Sequence, residues 1–323
     1  MPLFINTNIS TLYAKRAAQR ANAKLDTTFQ QLSSGQRINQ AKDDAAGIQV
    51  ADNLTTQLNG LTQGNRNAQD AIAFAQTIEG ALDEVTNLFQ RIRTLAVQSA
   101  NGTVTSTERA NLQTEVDSLT DEITRISSET TFAGADMLNG AASMVRFQVG
   151  ADPSSIISID LRTPMNVNGI AAMAAKNEGL TVTVTNPNGT TTNYTGVIPG
   201  YSTANPPVTF DDIFSDRNTN NPGIDLSTPE GAQQVLSGID ALITAVDRKR
   251  SQLGAMQNRL EATVRNQDSM KENVTNSRST ILDTDFADAT STLTQQQIIQ
   301  QATATVLTQS NQRPQIALSL LQG

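Results

Sequence analysis

The residues best suited to chemistry in this sequence are two pairs of adjacent carboxylates, Asp43-Asp44 and Asp211-Asp212. Such a pair can bind a cation or act as general acid and base. The chain contains no histidine and no cysteine, so it cannot build a Ser-His-Asp triad, a disulfide or a zinc site with His or Cys ligands. The first pair precedes a long helical pattern and is best explained as its N-cap, and the second as part of a solvated loop. We therefore expect no enzymatic activity, no cofactor and no metal.

The charge and the apolar runs argue against two further classes of partner. A formal net charge of −8 opposes nucleic-acid binding, which needs Lys and Arg to displace counterions. No run approaches the roughly 20 apolar residues that a membrane-spanning helix needs. The N-terminus lacks the charged segment that opens a secretory signal peptide. The sequence predicts no nucleic-acid partner and no membrane insertion, and a protein that stays in the cytosol or leaves it without a cleaved signal.

The element that must position everything else is a long helical stretch over residues 44–100. Its apolar residues recur at alternating spacings of four and three, the pattern of a coiled-coil seam. As one helix it would be about 80–85 Å long, so it needs partner helices. Two other segments carry the same spacing, and we expect the first of them to fold back antiparallel. The three seams are Ile78, Leu82, Val85, Phe89, Ile92; Leu112, Val116, Leu119, Ile123, Ile126; and Val235, Ile239, Leu242, Val246, Leu253, Met256, Leu260.

Local signals predict where the helices begin and end. Gly35 is a left-handed stop for a first helix over residues 1–34. Thr105 and Glu108 form a capping box for the second seam, and Thr228 caps the third. The remaining boundaries are a break within residues 283–285 and a last helix over 286–312, which Arg313-Pro314 stops.

The middle third is predicted to be a small β-rich insertion between helical ends. Asn139-Gly140 is a hairpin signal. Residues 180–185 and 190–197 form a second hairpin around Asn186-Pro187-Asn188-Gly189. Alternating apolar residues predict two further strands, with Val145, Phe147 and Val149 on one and Ile157, Ile159 and Leu161 on the other.

The two ends of the chain share a character found nowhere else in it. Residues 289–312 and 1–14 contain no charged side chain, although a free surface helix normally carries Glu and Lys. Helices owe most of their stability to packing, so we expect both ends to order only when other copies bury them. A Gln-rich tail that never folds is the alternative, but its many apolar residues argue against it. The residues expected to mediate terminal packing and polymerisation are Ile5, Ile9, Leu12, Leu25, Leu32, Leu293, Ile298, Val306, Leu307, Leu318, Leu320 and Leu321.

Several motifs at both ends together resemble those of bacterial flagellins, the filament subunits of the flagellum. The resemblance covers about residues 1–175 and 224–323, and the combination is highly specific. The middle does not match in detail and is short. The matching segments are INTN at 5–8, LSSGQRIN at 32–39, AKDDAAG at 41–47, QRIR at 90–93, LAVQSAN at 95–101, LGAMQNR at 253–259, SRS at 277–279, and PQ with LSLL at 314–321.

The resemblance implies a mainly α fold with a β-rich insertion. It implies an elongated rod of nested N- and C-terminal helices that form a coiled coil and a helical bundle. Residues 1–43 and 284–323 would be the terminal coiled-coil domain in the filament core. Residues 44–175 and 224–283 would be a helical rod domain with β-hairpins, and residues 176–223 a small, variable, surface-exposed β domain.

The resemblance also implies a function and partners. The chain would polymerise with itself into an extracellular filament that acts as a helical propeller. It would be exported unfolded by the flagellar type III apparatus, held by an export chaperone, assembled under a filament cap protein and joined to hook-associated proteins. In many flagellins Toll-like receptor 5 binds the helical rod. The residues at the receptor-binding positions of this sequence would be Arg91, Leu95 and Glu115. A plainer interpretation makes Leu95 a seam residue and the two charges solvated.

Three other classes are distinguishable. A hook–filament junction protein shares the terminal helices but does not form long filaments, and the match at residues 90–101 with a small outer domain favours flagellin over it. A metalloprotease insert, as some flagellins carry, needs histidine ligands, and this sequence has no histidine. A coiled-coil adhesin would need a membrane anchor, and no apolar run in the sequence is long enough for one.

Overall fold

The computed structural model describes residues 8–178, 181–185, 191–195, 197, 208–214 and 224–321. The chain divides into two compact units. The terminal unit is formed by residues 1–60 and 269–323, and the central unit by residues 61–268.

The described elements are mostly helices, with three antiparallel two-stranded sheets. This confirms the prediction of a mainly α chain with a small β region. The helices are α1 Ile9–Ser34, α2 Ala45–Ser99, α3 Ser106–Glu129, α4 Val167–Glu178, α5 Phe210–Ile213, α6 Pro229–Leu282 and α7 Phe286–Leu321. The strands are β1 Thr131–Phe132, β2 Ala135–Asp136, β3 Met144–Gln148, β4 Ile156–Asp160, β5 Thr181–Thr185 and β6 Thr191–Thr195.

The predicted helix boundaries are confirmed at the residues whose side chains satisfy free backbone groups. Asp44 Oδ1 accepts from the Gly47 amide at 2.9 Å at the start of the 55-residue α2. Thr105 and Glu108 form the reciprocal capping box of α3. Gly35 follows α1 with a φ of 70°, a left-handed conformation that suits glycine.

The three predicted seams meet in one core of the central unit, except for Leu260, which lies in a second cluster with Ala68 and Ala71 of α2. Ile78, Leu82, Val85, Phe89 and Ile92 are all completely buried, and they cluster with residues of α3 and α6. Helix α3 runs antiparallel to α2, as predicted, since Arg91 pairs with Glu115 and Ser99 with Arg109. Burial of each such side chain contributes about 1.5–3 kcal/mol, so this seam is the main stabilising feature of the unit.

The hairpin signal at Asn139-Gly140 is wrong about the position of the turn. The tight hairpin joins β1 to β2 through Ala133 and Gly134, which both have positive φ angles of 51° and 82°. Those angles match a two-residue type I′ turn. The Asn139 side chain instead accepts from the Ala141 amide at 2.9 Å in the connection to β3.

The remaining strand predictions agree with the described residues. Strands β3 and β4 pair in register from Met144 opposite Asp160 to Gln148 opposite Ile156. Strands β5 and β6 also pair, and the turn at residues 186–190 lies outside the described residues. Phe74 of α2 packs edge-on against Phe132 and Phe147, with ring centroids 5.4 Å apart in both cases, and so holds two hairpins.

Two helical features differ from the sequence expectation. Helix α4 was not predicted, and it buries Ile170, Ala171 and Ala174 in the core of the central unit. Helix α7 does not stop at Gln312 but continues through Pro314 to Leu321. A proline inside a helix removes one backbone donor, and the carbonyl of Ser310 that loses this donor accepts from the Asn8 side chain at 2.8 Å instead.

Replacing Gly64 of α2 by alanine should lower the free energy of unfolding of the central unit by about 1–3 kcal/mol. A Cβ there would lie 2.7 Å from the carbonyl oxygen of Val149, which cannot give way without moving the end of β3. Gly80, on the same helix, has no atom within 4 Å of its Cβ position. Gly80→Ala should therefore stabilise by about 0.5–1 kcal/mol. Urea unfolding of both variants measures this difference, and equal effects would contradict the close packing.

Candidate functional site

The terminal unit contains the antiparallel pair of α1 and α7. Asn22 accepts from the Gln300 side chain at 2.9 Å, and Asn8 bonds to Ser310 at the far end of the pair. At the near end, the Thr284 amide donates to the Gly35 carbonyl at 3.0 Å. These contacts show that the two ends of the chain pair with each other.

The buried seam of this pair is made mainly of small and polar residues, with Leu25 as the large apolar exception on α1. On α1 the buried positions are Ala14, Ala21, Leu25 and Thr28. Gln296, Thr303 and Ser310 are the buried polar residues that face inward from α7. A seam of this kind buries little apolar area, so the pair gains little stability from the hydrophobic effect.

Several large apolar side chains of the same two helices point away from the seam. Ile9 and Leu12 are each 57% exposed, Ile298 is 62% exposed and Val306 52%. The single face expected for α1 is therefore divided, with Leu25 inside the pair and Ile9 and Leu12 outside it. These exposed apolar side chains make the pair of α1 and α7 a candidate interaction surface.

The other residues expected to mediate polymerisation lie in several environments. Leu32, Leu293 and Leu307 are partly buried. Ile5 lies outside the described residues. Leu318, Leu320 and Leu321 belong to α7, but their side chains are outside the described part of the chain.

The candidate receptor residues lie on α2 and α3 of the central unit. Arg91 Nε donates to Glu115 Oε1 at 2.8 Å, and the two side chains are 54% and 41% exposed. Leu95 is only 2% exposed and belongs to the core. The structure thus brings the two charges together on the surface and places Leu95 beneath it.

Further charged contacts hold this surface and the adjoining hairpin in place. Arg93 pairs with Asp240 of α6 at 2.7 Å, and this carboxylate raises the pKa of the arginine. At the end of β4, Arg162 hydrogen-bonds to Asp160 and lowers the pKa of that carboxyl to about 2. Lys249 of α6 donates to the Asp160 carbonyl, and burial lowers the pKa of its ammonium group. Lys249 lies between Val246 and Leu253 of the third seam. Its bond to β4 explains why this position is charged, because it ties the hairpin to α6.

Arg109 is an important residue that the sequence pattern does not single out. It is 7% exposed, and its guanidinium donates to the carbonyls of Ser99, Asn101 and Val104 at 2.6–2.9 Å. These carbonyls belong to the end of α2 and the connection to α3, where helix C-termini leave acceptors without partners. The only signal in the sequence is an arginine in the first turns of a helix that follows another helix end.

Asp43-Asp44, the carboxylate pair whose side chains are described, accepts hydrogen bonds from nearby backbone amides. Asp43 Oδ2 accepts from the amides of Asn39 and Gln40, and Asp44 caps α2, which confirms the capping interpretation. Asp211 and Asp212 lie in the short helix α5 rather than in a loop, and their side chains are outside the described part. Among the described residues, no group of three or more acidic, His or Cys side chains could hold a metal ion.

Across the described helices, none is both long and apolar enough to cross a membrane.

Comparison with known proteins identifies the family. The model of the bacterial flagellin N-terminal helical region matches residues 5–143, and that of the C-terminal helical region matches residues 236–321. Flagellin D of Vibrio anguillarum is 36% identical over 99% of this chain and 100% of its own length, and Flagellin B of Vibrio cholerae serotype O1 gives the same values. A solved structure described as a flagellar hook-associated protein from Vibrio parahaemolyticus is 15% identical, with a TM-score of 0.50 over 74% of this chain and 99% of its own, a likeness of fold alone. The family-model matches at both ends and the full-length relatives together show that this chain belongs to the bacterial flagellin family.

Proposed function

We propose that this protein is a structural subunit that polymerises into the bacterial flagellar filament through its paired terminal helices. One observation carries the proposal: α1 and α7 bury small and polar residues between them and expose Ile9, Leu12, Ile298 and Val306. This arrangement favours packing of further copies against the pair, because burial of each large apolar side chain contributes about 1.5–3 kcal/mol.

The mechanism of this proposal is mechanical. Each copy presents one surface to a different surface of the next copy, and such a contact gives an open helical polymer when the rotation does not close. The terminal helices order as they are buried in the filament, so assembly and folding of the ends are one step. No catalytic step, cofactor or metal is part of the mechanism.

The division of the chain in the filament follows the same proposal. Residues 1–43 and 284–323 form the core, residues 44–175 and 224–283 form the rod, and residues 176–223 form the exposed outer domain. The subunit acts outside the cell as a component of the filament. Its partners beside other copies are the export chaperone, the filament cap protein and the hook-associated proteins.

The hook–filament junction protein is the second candidate. A shared fold with a hook-associated protein supports it, since both classes use the same terminal helices. Full-length relatives named as flagellins support the filament subunit more strongly.

Electron microscopy of the purified chain after addition of salt and short filament seeds tests the proposal. We expect long filaments from the intact chain and none from a variant that lacks residues 289–323, because the variant cannot form the terminal pair. An intact chain that stays monomeric under seeding would favour the junction protein. A truncated chain that polymerises equally well would show that α7 is not required.

We further propose that Toll-like receptor 5 binds the central unit at Arg91 and Glu115. Arginine, with its planar donor fork, is enriched among the residues that dominate protein interfaces, and the side chains of Arg91 and Glu115 are about half exposed. Leu95, buried beneath them, acts through packing of α2 and not by direct contact.

Arg91→Ala should weaken activation of receptor-bearing reporter cells by about 10- to 30-fold. The control is Arg125→Ala, which removes an exposed arginine of α3 that pairs with Glu122 and Glu129. Its half-maximal concentration should equal that of the intact chain. Equal activity of the Arg91 variant and the intact chain would refute the proposed contact.

A further inference from the structure

Asn8, the residue before α1, uses both ends of its side-chain amide. Its Oδ1 accepts from the Thr11 amide at 3.2 Å and caps α1. Its Nδ2 donates to the backbone carbonyl of Ser310 at 2.8 Å, although the two residues are 302 positions apart in the chain. One side chain therefore joins the start of α1 to a defined position near the end of α7.

The Ser310 carbonyl is available for this bond because of Pro314. In a helix each carbonyl accepts from the amide four residues later, and proline has no amide hydrogen. Helix α7 continues beyond Pro314, so the proline leaves one carbonyl in its interior without its usual donor. Ser310 is only 4% exposed, and a buried carbonyl without a partner is costly.

The backbone bond from Thr284 to Gly35 positions the near end of the pair of α1 and α7, but the seam does little to fix the register of the far end. The inward positions Ala14, Ala21 and Thr28 are small, so among the buried residues of α1 only Leu25 opposes a shift of one helical turn by its packing. A single polar contact can specify the register of paired helices. Thr11 adds to the polar contact between Asn8 and Ser310, since its hydroxyl lies 3.1 Å from both Ser310 Oγ and Asn311 Oδ1.

We propose that Asn8 and Pro314 form a matched clasp that fixes the register in which the two ends of the chain pair. Pro314 leaves the carbonyl of Ser310 without its usual backbone donor. The Asn8 side chain donates to this carbonyl and at the same time caps α1. Asn8 is thus a positioning residue for assembly. The consequence for assembly rests on the proposed filament function, whereas the register itself is a property of one chain.

The clasp predicts an energetic coupling between residues 8 and 314. Asn8→Ser keeps an N-cap but has no donor long enough to reach α7 as well, and it should raise the critical concentration for seeded growth about fivefold. Pro314→Ala supplies the missing amide, so the Ser310 carbonyl is satisfied within α7. In that background Asn8→Ser should change the critical concentration by less than about twofold.

Asn22→Ser is the matched control, because Asn22 also bonds from α1 to α7 but has no relation to residue 314. Its effect should be the same with and without Pro314→Ala. An Asn8→Ser effect that is absent, or that is equal in both backgrounds, would overturn the clasp while wild-type filaments still support the proposed function.

Engineered disulfides measure the register directly, since the chain has no cysteine. Cysteines at 22 and 300 report the observed register, and cysteines at 22 and 304 report a shift of one turn. In the Asn8→Ser background we expect the yield of the shifted disulfide to rise at the expense of the observed one. Oxidation also traps the two helices of a monomer each time they pair transiently, so failure of filament growth would not prevent this measurement, and unchanged yields would overturn the proposal.

Discussion

Replacing both Ile298 and Val306 by glutamate should abolish filament growth while the central unit stays folded. Both side chains are more than half exposed in the single chain, so the change does not disturb packing within it. In the filament the substitutions would remove two apolar contacts worth about 1.5–3 kcal/mol each and bury two unpaired charges. The critical concentration should rise by more than about 100-fold.

Light scattering after addition of seeds measures this effect, and circular dichroism of the monomer checks the fold. The matched control is Ile298→Leu with Val306→Ile, which keeps the apolar character and should polymerise like the intact chain. Growth of the glutamate variant at the normal critical concentration would mean that these side chains stay exposed in the filament.

Arg109→Ala should lower the free energy of unfolding of the central unit by about 3 kcal/mol. The change removes three hydrogen bonds from a charged donor and leaves the carbonyls of Ser99, Asn101 and Val104 without it. Removal of such a donor costs about 1–3 kcal/mol for each buried acceptor that remains unsatisfied. Lysine cannot reach all three carbonyls, so Arg109→Lys should recover only part of the loss.

Urea unfolding measures this loss, with Arg125→Ala on the same helix as the control. Arg125 forms exposed ion pairs within α3, and exposed pairs contribute little. The unfolding midpoint of the Arg109 variant should fall well below that of the Arg125 variant. Equal midpoints would show that the carbonyls find other donors, such as water.

The features that the sequence predicts correctly depend on local signals or on a long periodic pattern. The spacing of Ile78, Leu82 and Val85 repeats over many turns, so chance cannot easily produce it. The cap at Thr105 and the stop at Gly35 involve residues within one helical turn. Such signals require no knowledge of where the chain folds back.

The features that the sequence misses depend on contacts between distant residues. Pro314 is a good stop signal on its own, but the contact of Asn8 with the Ser310 carbonyl replaces the backbone bond that the proline removes from the continuing helix. Asn139-Gly140 suits a tight turn, but Ala133-Gly134 occupies one because the short strands β1 and β2 pair there. The role of Arg109 likewise depends on how α2 ends beside α3.

The candidate assembly surface was predictable in composition but not in orientation. The absence of charge in residues 289–312 distinguishes α7 from the other helices. Its apolar residues are spread around the helix, however, so the sequence could not show that Gln296 and Thr303 are buried while Ile298 and Val306 are exposed. That assignment depends on the partner helix α1, which lies almost 300 residues away.

Hydrogen exchange of backbone amides in the monomer and in the filament tests most directly whether the terminal helices order on assembly. We expect the amides of residues 14–30 and 289–310 to exchange rapidly in the monomer and to slow by roughly 100-fold or more in the filament. The seam of the central unit, residues 78–92, should be protected in both. Equal, strong protection of α1 and α7 in monomer and filament would contradict the account, because the ends would then fold without their neighbours.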